Sequence, residues 1–230
     1  MIHIFYAYTS EKDHNALLCK YLPVLPPSYR EKILRFRNWK DAQLSLLGRL
    51  LLDHGIKTKF PQYADSMEIA YTSHRKPYFK NNNLKFNISH SKNMAICVIS
   101  DGADMGIDVE GNAPVNIDDF KEYMTPFEWQ QVISAPKKEN AFYKYWTKKE
   151  AVIKADGRGL SIPLKSFEVK EEIANIENSA YVLKEVFLDS EYTCYIALKK
   201  QKNIATQPQF DEKVVLNQVH ISSEMKVAMV

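Results

Sequence analysis

The order of elements along this sequence predicts an α+β fold made of two similar halves. Three observations lead there. Residues alternate in strand fashion at Ile2, Ile4, Tyr6 and Tyr8, and strand patterns return over residues 94–99 and 105–109. Apolar residues recur at helical spacing over residues 29–54 and 139–155. The order strand, helices, strands runs through twice, although no sequence repeat links the two passes.

The elements follow in order. Pro23, Pro26 and Pro27 break the chain after the opening strand. A helix is then expected from Tyr29 to His54, carried by Ile33, Leu34, Leu44, Leu47, Leu50 and Leu51, with Gly55 as its stop. Asn81-Asn82-Asn83 marks a turn, and Asp101-Gly102 separates the next two strands. Thr125-Pro126 opens a helix, because proline fits the first helical turn. Residues 139–155 form a second strong helix, ended by Asp156-Gly157-Arg158-Gly159. Strand-like stretches follow at 167–170, 181–188 and 192–198. The expected division is an N-terminal half (1–103), a C-terminal half (104–200) and an extension (201–230). For Val214, Val215, Leu216, Val219 and Ile221 an added strand and a loosely held tail both stand.

A chain of 230 residues with 45% hydrophobic and 26% charged residues buries a real core without disulfide or metal staples. Seven glycines against 13 tyrosines and 11 phenylalanines indicate dense, aromatic-rich packing. A net charge of +3 is no nucleic-acid footprint, though it leaves room for a local basic patch. Three scattered cysteines, Cys19, Cys97 and Cys194, make no metal-ligand spacing and read as reduced thiols of a cytoplasmic protein. Neither a signal peptide nor a membrane span is expected.

Four clusters carry chemistry. In Gly106-Ile107-Asp108-Val109-Glu110 the two carboxylates share one strand face, with Ile107 and Val109 behind. They make either a solvated polar face or a site for a hard cation such as Mg²⁺, which takes oxygen ligands. Trp146, Glu150 and Lys154 fall on one helical stripe, either as a surface pair or as a third carboxylate beside a phosphate-holding lysine. Asn87-Ile88-Ser89-His90-Ser91 lacks a nucleophile elbow. It reads as a turn with a hydrogen-bonded histidine, or as phosphate binding by Ser89 and His90. The basic scatter of Arg30, Lys32, Arg35, Arg37 and Lys40, with His74-Arg75-Lys76-Pro77, is a solvated face or a set of phosphate contacts.

In this order the clusters resemble the 4′-phosphopantetheinyl transferases of the longer, Sfp-like type, over about residues 1–198. The resemblance rests on Phe36…Lys40-Asp41-Ala42…Leu46-Leu47-Gly48, Lys76-Pro77 and Phe86-Asn87-Ile88-Ser89-His90-Ser91. It continues through Gly106-Ile107-Asp108-Val109-Glu110, Thr125…Glu128, Trp146…Lys149-Glu150…Lys154 and Gly157-Arg158-Gly159-Leu160-Ser161. Tyr29 departs from it, standing where the family often has a lysine for a phosphate, as does Met124, where an aromatic is common.

The resemblance implies a pseudo-twofold pair of α+β halves, monomeric, with coenzyme A in the cleft between them. Phosphopantetheine would pass to a serine of an acidic apo carrier protein, releasing adenosine 3′,5′-bisphosphate. Asp108, Glu110 and Glu150 would hold Mg²⁺, and Glu150 would take the serine proton. Lys32, Arg75, Lys76, Ser89, His90, Lys149 and Lys154 would contact the cofactor, with Lys149 or Lys154 at the leaving group. Asp108, Glu150 and Lys154 are the expected catalytic set. Carrier docking is expected near Phe127, Trp129, Lys137 and Lys138. Two other classes stay open: another metal-dependent phosphoryl transferase or hydrolase, and a non-catalytic binder of coenzyme A or a carrier.

Overall fold

The computed structural model describes residues 1–201, 210 and 212–221; the rest of the expected extension lies outside the described residues. Strand β1 (Ile2–Tyr8) opens the chain, followed by α1 (His14–Tyr21), α2 (Pro27–Leu34) and α3 (Trp39–Lys59). A hairpin of β2 (Ile69–Tyr71) and β3 (Pro77–Phe79) leads into β4 (Leu84–Ser91), β5 (Met94–Asp101) and β6 (Met105–Gly111). Then come α4 (Pro126–Ser134) and α5 (Lys138–Asp156). Strands β7 (Val169–Lys170), β8 (Ile173–Ile176), β9 (Ser179–Glu185), β10 (Tyr192–Gln201) and β11 (Val214–Gln218) complete it.

Two main sheets form, in the orders β11-β1-β5-β4 and β6-β10-β9-β8-β7. Period-two alternation gives each sheet two apolar faces. On β1, Phe5 and Ala7 pack with the α3 leucines, while Ile2 and Ile4 face the other way. There they meet Met105, Ile107, Val109, Cys194 and Ile196 of the second sheet. On β10, Tyr195 and Ala197 turn back to Ala151, Val152 and Ala155 of α5. The result is four layers, helix, sheet, sheet, helix, with one core between the sheets, one under each long helix and a smaller cluster of Met124, Val132 and Phe142 where α4 meets α5.

Several boundaries differ from the sequence expectation. The first long helix is two, because the chain bends over residues 35–38 and Asn38 restarts it, its side chain accepting from the Lys40 N–H. Gly55 does not stop α3. A Cβ there would lie 2.5 Å from Ile99 and 2.7 Å from Phe5, so the glycine allows close packing on the sheet. The Asn87–Ser91 run is strand, not turn. Strand β8 carried no signal of its own, and the 214–218 segment is an added strand, parallel to β1. Thr125 forms the expected helix start as a full capping box with Glu128.

Candidate active site

The site forms where the edge strands of the two sheets meet. Alternate residues of β4 reach across to β6. Asn87 Oδ1 accepts from the Ile107 N–H at 2.9 Å, Ser89 Oγ donates to Asp108 Oδ1 at 2.8 Å, and Ser91 Oγ donates to Glu110 Oε2 at 2.8 Å. Ser91 Oγ also accepts from the Gly111 N–H at 3.1 Å. Each carboxylate of β6 is thus held by a serine from the other half. Behind β6 lies α5, so close that a Cβ on Gly106 would meet the Ala151 carbonyl and the Ala155 nitrogen at 2.3 Å. Only glycine admits this approach.

That contact brings Lys154 onto Asp108. The lysine Nζ stands 2.6 Å from Asp108 Oδ1 and 2.8 Å from Ser89 Oγ. Asp108 Oδ2 is buried and has no partner among the described residues. Burial and the Asp108 charge push the Glu110 and Glu150 carboxyls above the usual carboxylate range. Among the described residues Glu150 has no hydrogen bond or ion pair. Carboxylates in this state, one with an orphaned oxygen, suit a divalent cation. No finished cage of three or more ligands exists among the described residues, so water or ligand oxygens would complete the shell.

His90 links this cluster to a cavity of about 550 Å³ in the N-terminal half. Burial and the Lys154 ammonium hold its imidazole below the usual pKa. Lys32, Arg75 and Arg49 line the cavity as cations, among apolar Leu44, Ile69, Phe86 and Ile88. Tyr29, at the departure from the family pattern, donates from its hydroxyl to the Ser45 carbonyl at 3.0 Å.

Residues matching the transferases of known proteins cover both halves. The family model described as "4′-phosphopantetheinyl transferase, N-terminal" matches residues 12–101, and that of the 4′-phosphopantetheinyl transferase superfamily matches residues 104–206. The 4′-phosphopantetheinyl transferase Sfp of Bacillus subtilis is 30% identical over 206 residues, 86% of this chain and 89% of that protein. The chain belongs to the 4′-phosphopantetheinyl transferase superfamily. Another Bacillus subtilis transferase is 33% identical, covering 61% of this chain and 64% of its own. A relative from Schizosaccharomyces pombe, named L-aminoadipate-semialdehyde dehydrogenase-phosphopantetheinyl transferase, is 30% identical over 60% of each chain.

Not every residue expected to contact the cofactor lies at this cluster or its cavity. Lys149 faces away from the cleft, with its side chain 1% exposed. Its Nζ binds Glu128 at 2.8 Å and donates to the Leu164 and Phe167 carbonyls at 2.7 and 2.8 Å. Glu128 is fully buried and also accepts from the Thr125 and Val169 N–H groups at 2.9 Å. Expecting Lys149 at a phosphate overlooked that Lys149 and Lys154, five residues apart, stand about 140° apart around a helix. Ser89 has its hydroxyl hydrogen on Asp108, so it orients a carboxylate rather than donating to a phosphate. Lys76 is absent from the lining of this cavity; it lines a second one, of about 390 Å³, and binds the end of α5, where burial brings its ammonium down to about 8. Arg49 carried no expectation in the sequence, and Asn87 and Ser91 were read only as members of their motif, with no role of their own. The period-two polar run Asn87, Ser89, Ser91 was the available signal.

Proposed function

We propose that this transferase moves the phosphopantetheine arm of coenzyme A onto a serine hydroxyl of an apo carrier protein, with Mg²⁺, releasing adenosine 3′,5′-bisphosphate. One observation carries the reading: the unsatisfied Asp108–Lys154 pair lies beside His90, at the edge of a cavity lined by cations. That is the arrangement a polyanionic cofactor with a reactive pyrophosphate requires.

Lys32, Arg49 and Arg75 would hold phosphate oxygens in the cavity by charge-assisted hydrogen bonds, and His90 would hold the pyrophosphate near the carboxylates. Asp108, Glu110 and Glu150 would hold Mg²⁺, which supplies Lewis-acid stabilisation of the pyrophosphate when bound. Glu150, with no partner among the described residues and a raised carboxyl pKa, would take the serine proton directly or through a water. The serine oxygen forms a bond to the phosphorus that carries pantetheine. The bond from that phosphorus to the bridging oxygen breaks, and Lys154 neutralises the charge left on the departing adenosine bisphosphate.

One chain supplies both sides of the site, Ser89 from one half and Asp108 from the other, which fits a monomer. All three cysteines are free, in keeping with a cytoplasmic protein, and no helix among the described residues is long and apolar enough to cross a membrane. For the carrier, Phe127 is exposed on α4 and Lys137 and Lys138 are exposed at the start of α5. Trp129 packs instead against the Met124, Val132 and Phe142 cluster. The test is incubation with coenzyme A, Mg²⁺ and a panel of apo carrier proteins, read by mass spectrometry. A phosphopantetheine gain on a carrier is expected. Turnover of coenzyme A with no gain on any carrier would overturn the reading in favour of a hydrolase.

A further inference from the structure

Residues Arg75 and Lys76 are neighbours in sequence and serve different parts of the molecule. They sit in the turn of the β2–β3 hairpin, closed by the Thr72 N–H on the Lys76 carbonyl at 3.0 Å and the Lys76 N–H on Thr72 Oγ1 at 3.1 Å. Arg75 takes a left-handed conformation, φ 63°, which a non-glycine residue adopts only when its surroundings demand it. After that kink the two side chains part. Arg75 lines the cofactor cavity, and Lys76 crosses to the C-terminal half.

There its Nζ donates to the carbonyl oxygens of Lys154 at 2.7 Å and Ala155 at 3.1 Å. These are last-turn carbonyls of α5, which lack partners within the helix and carry the negative end of its dipole. Gly157 makes room for the lysine stem. Its φ is 97°, and a Cβ there would stand 3.0 Å from Lys76 Cδ. The same turn of helix carries Lys154, and one turn earlier lies Glu150.

We propose that Lys76 is a positioning residue for the transfer reaction: anchored in the N-terminal hairpin and bound to the end of α5, it keeps Lys154 and Glu150 in register with Arg75 and the cofactor cavity. It acts through the helix and not on a phosphate. The inference rests on the transferase reading above, and its test separates the two.

Wild type, Lys76→Met, Lys76→Gln and Lys76→Arg are compared with coenzyme A and with 3′-dephospho-coenzyme A on an apo carrier protein. Lys76→Met is expected to lower kcat by about ten- to a hundredfold, since small misplacement of reacting groups costs that much. KM for coenzyme A should stay within about threefold, the mark of an interaction that does not bind substrate. The kcat loss should be the same with both cofactors, with Lys76→Arg restoring most of it and Lys76→Gln falling between. Hydrogen exchange of the last-turn amides of α5 should speed up in Lys76→Met and stay unchanged in Arg75→Ala. A penalty lying in KM and vanishing with dephospho-coenzyme A would overturn the proposal in favour of a phosphate contact. So would unchanged kcat in every variant. If wild type modifies no carrier, the transfer reading fails on its own, and unchanged exchange in both Lys76→Met and Lys76→Gln would still overturn the anchoring role.

Discussion

Helix α5 carries two lysine–carboxylate pairs of the same chemistry and opposite character. Lys149 and Glu128 stand 2.8 Å apart, 1% and 0% exposed, and both take further hydrogen bonds from or to the backbone. Lys154 and Asp108 stand 2.6 Å apart, 26% and 5% exposed, and one carboxylate oxygen has no partner among the described residues. A buried charge pair is tolerable only where its remaining donors and acceptors are satisfied. The first pair meets that condition and ties α4, α5 and the segment before β7 together. The second does not meet it, and its open valences are the ones that the proposed cation and phosphate would fill. Distance alone does not distinguish a structural pair from a site. Completeness of hydrogen bonding does.

The largest expected effect is on the sealed pair. Glu128→Ala should destabilise the protein by about 3–5 kcal/mol, because it strands the Lys149 ammonium in the core. Lys149→Met should cost less, since its stem volume is kept. Urea denaturation checks both. A loss under 1 kcal/mol for Glu128→Ala would mean that water reaches the pair.

Next comes the open pair. Lys154→Met should lower carrier modification by about 10²–10³-fold, the usual cost of one charge-stabilising donor. Its stability loss should not exceed about 2 kcal/mol, since the site is open on one side. Steady-state rates and denaturation on the same preparations decide it, and the contrast collapses if Lys154→Met proves the less stable of the two lysine variants.

The smallest effect sharpens the contrast. Glu110 holds its proton more tightly folded than unfolded, first because of burial and then because of Asp108. Ionising it therefore costs stability that is absent below its ordinary pKa of 4.5 and grows as pH rises through the raised folded value. In metal-free buffer at pH 7, Glu110→Gln should raise stability by roughly 0.5–1 kcal/mol. At pH 4 the gain should vanish. Melting curves at the two pH values report it, and a stability loss at pH 7 would show that the carboxylates are already neutralised.

Much of this was legible in the sequence. Alternation put Asp108 and Glu110 on one face of β6 with Ile107 and Val109 behind them, and Thr125-Pro126 and Gly157 bounded their helices. Such features arise from backbone geometry and side chains within a few residues, so local pattern is enough to fix them. The motif order across residues 1–198 gave the family for the same reason that it is a property of the chain.

Tertiary structure decided what lies against each face. Gly55 reads as a helix stop, but the tight packing of Ile99 and Phe5 beside it lets α3 run on to Lys59. Lys149 and Lys154 look equivalent in a basic helix; one meets Glu128 and the other Asp108 because α5 turns different sides to α4 and β6. Lys76 and Lys154, 78 positions apart, meet only because the two halves pack against each other. Periodicity states which side of an element is apolar. It carries no information about which distant segment will cover that side, and a lysine's role depends on that partner.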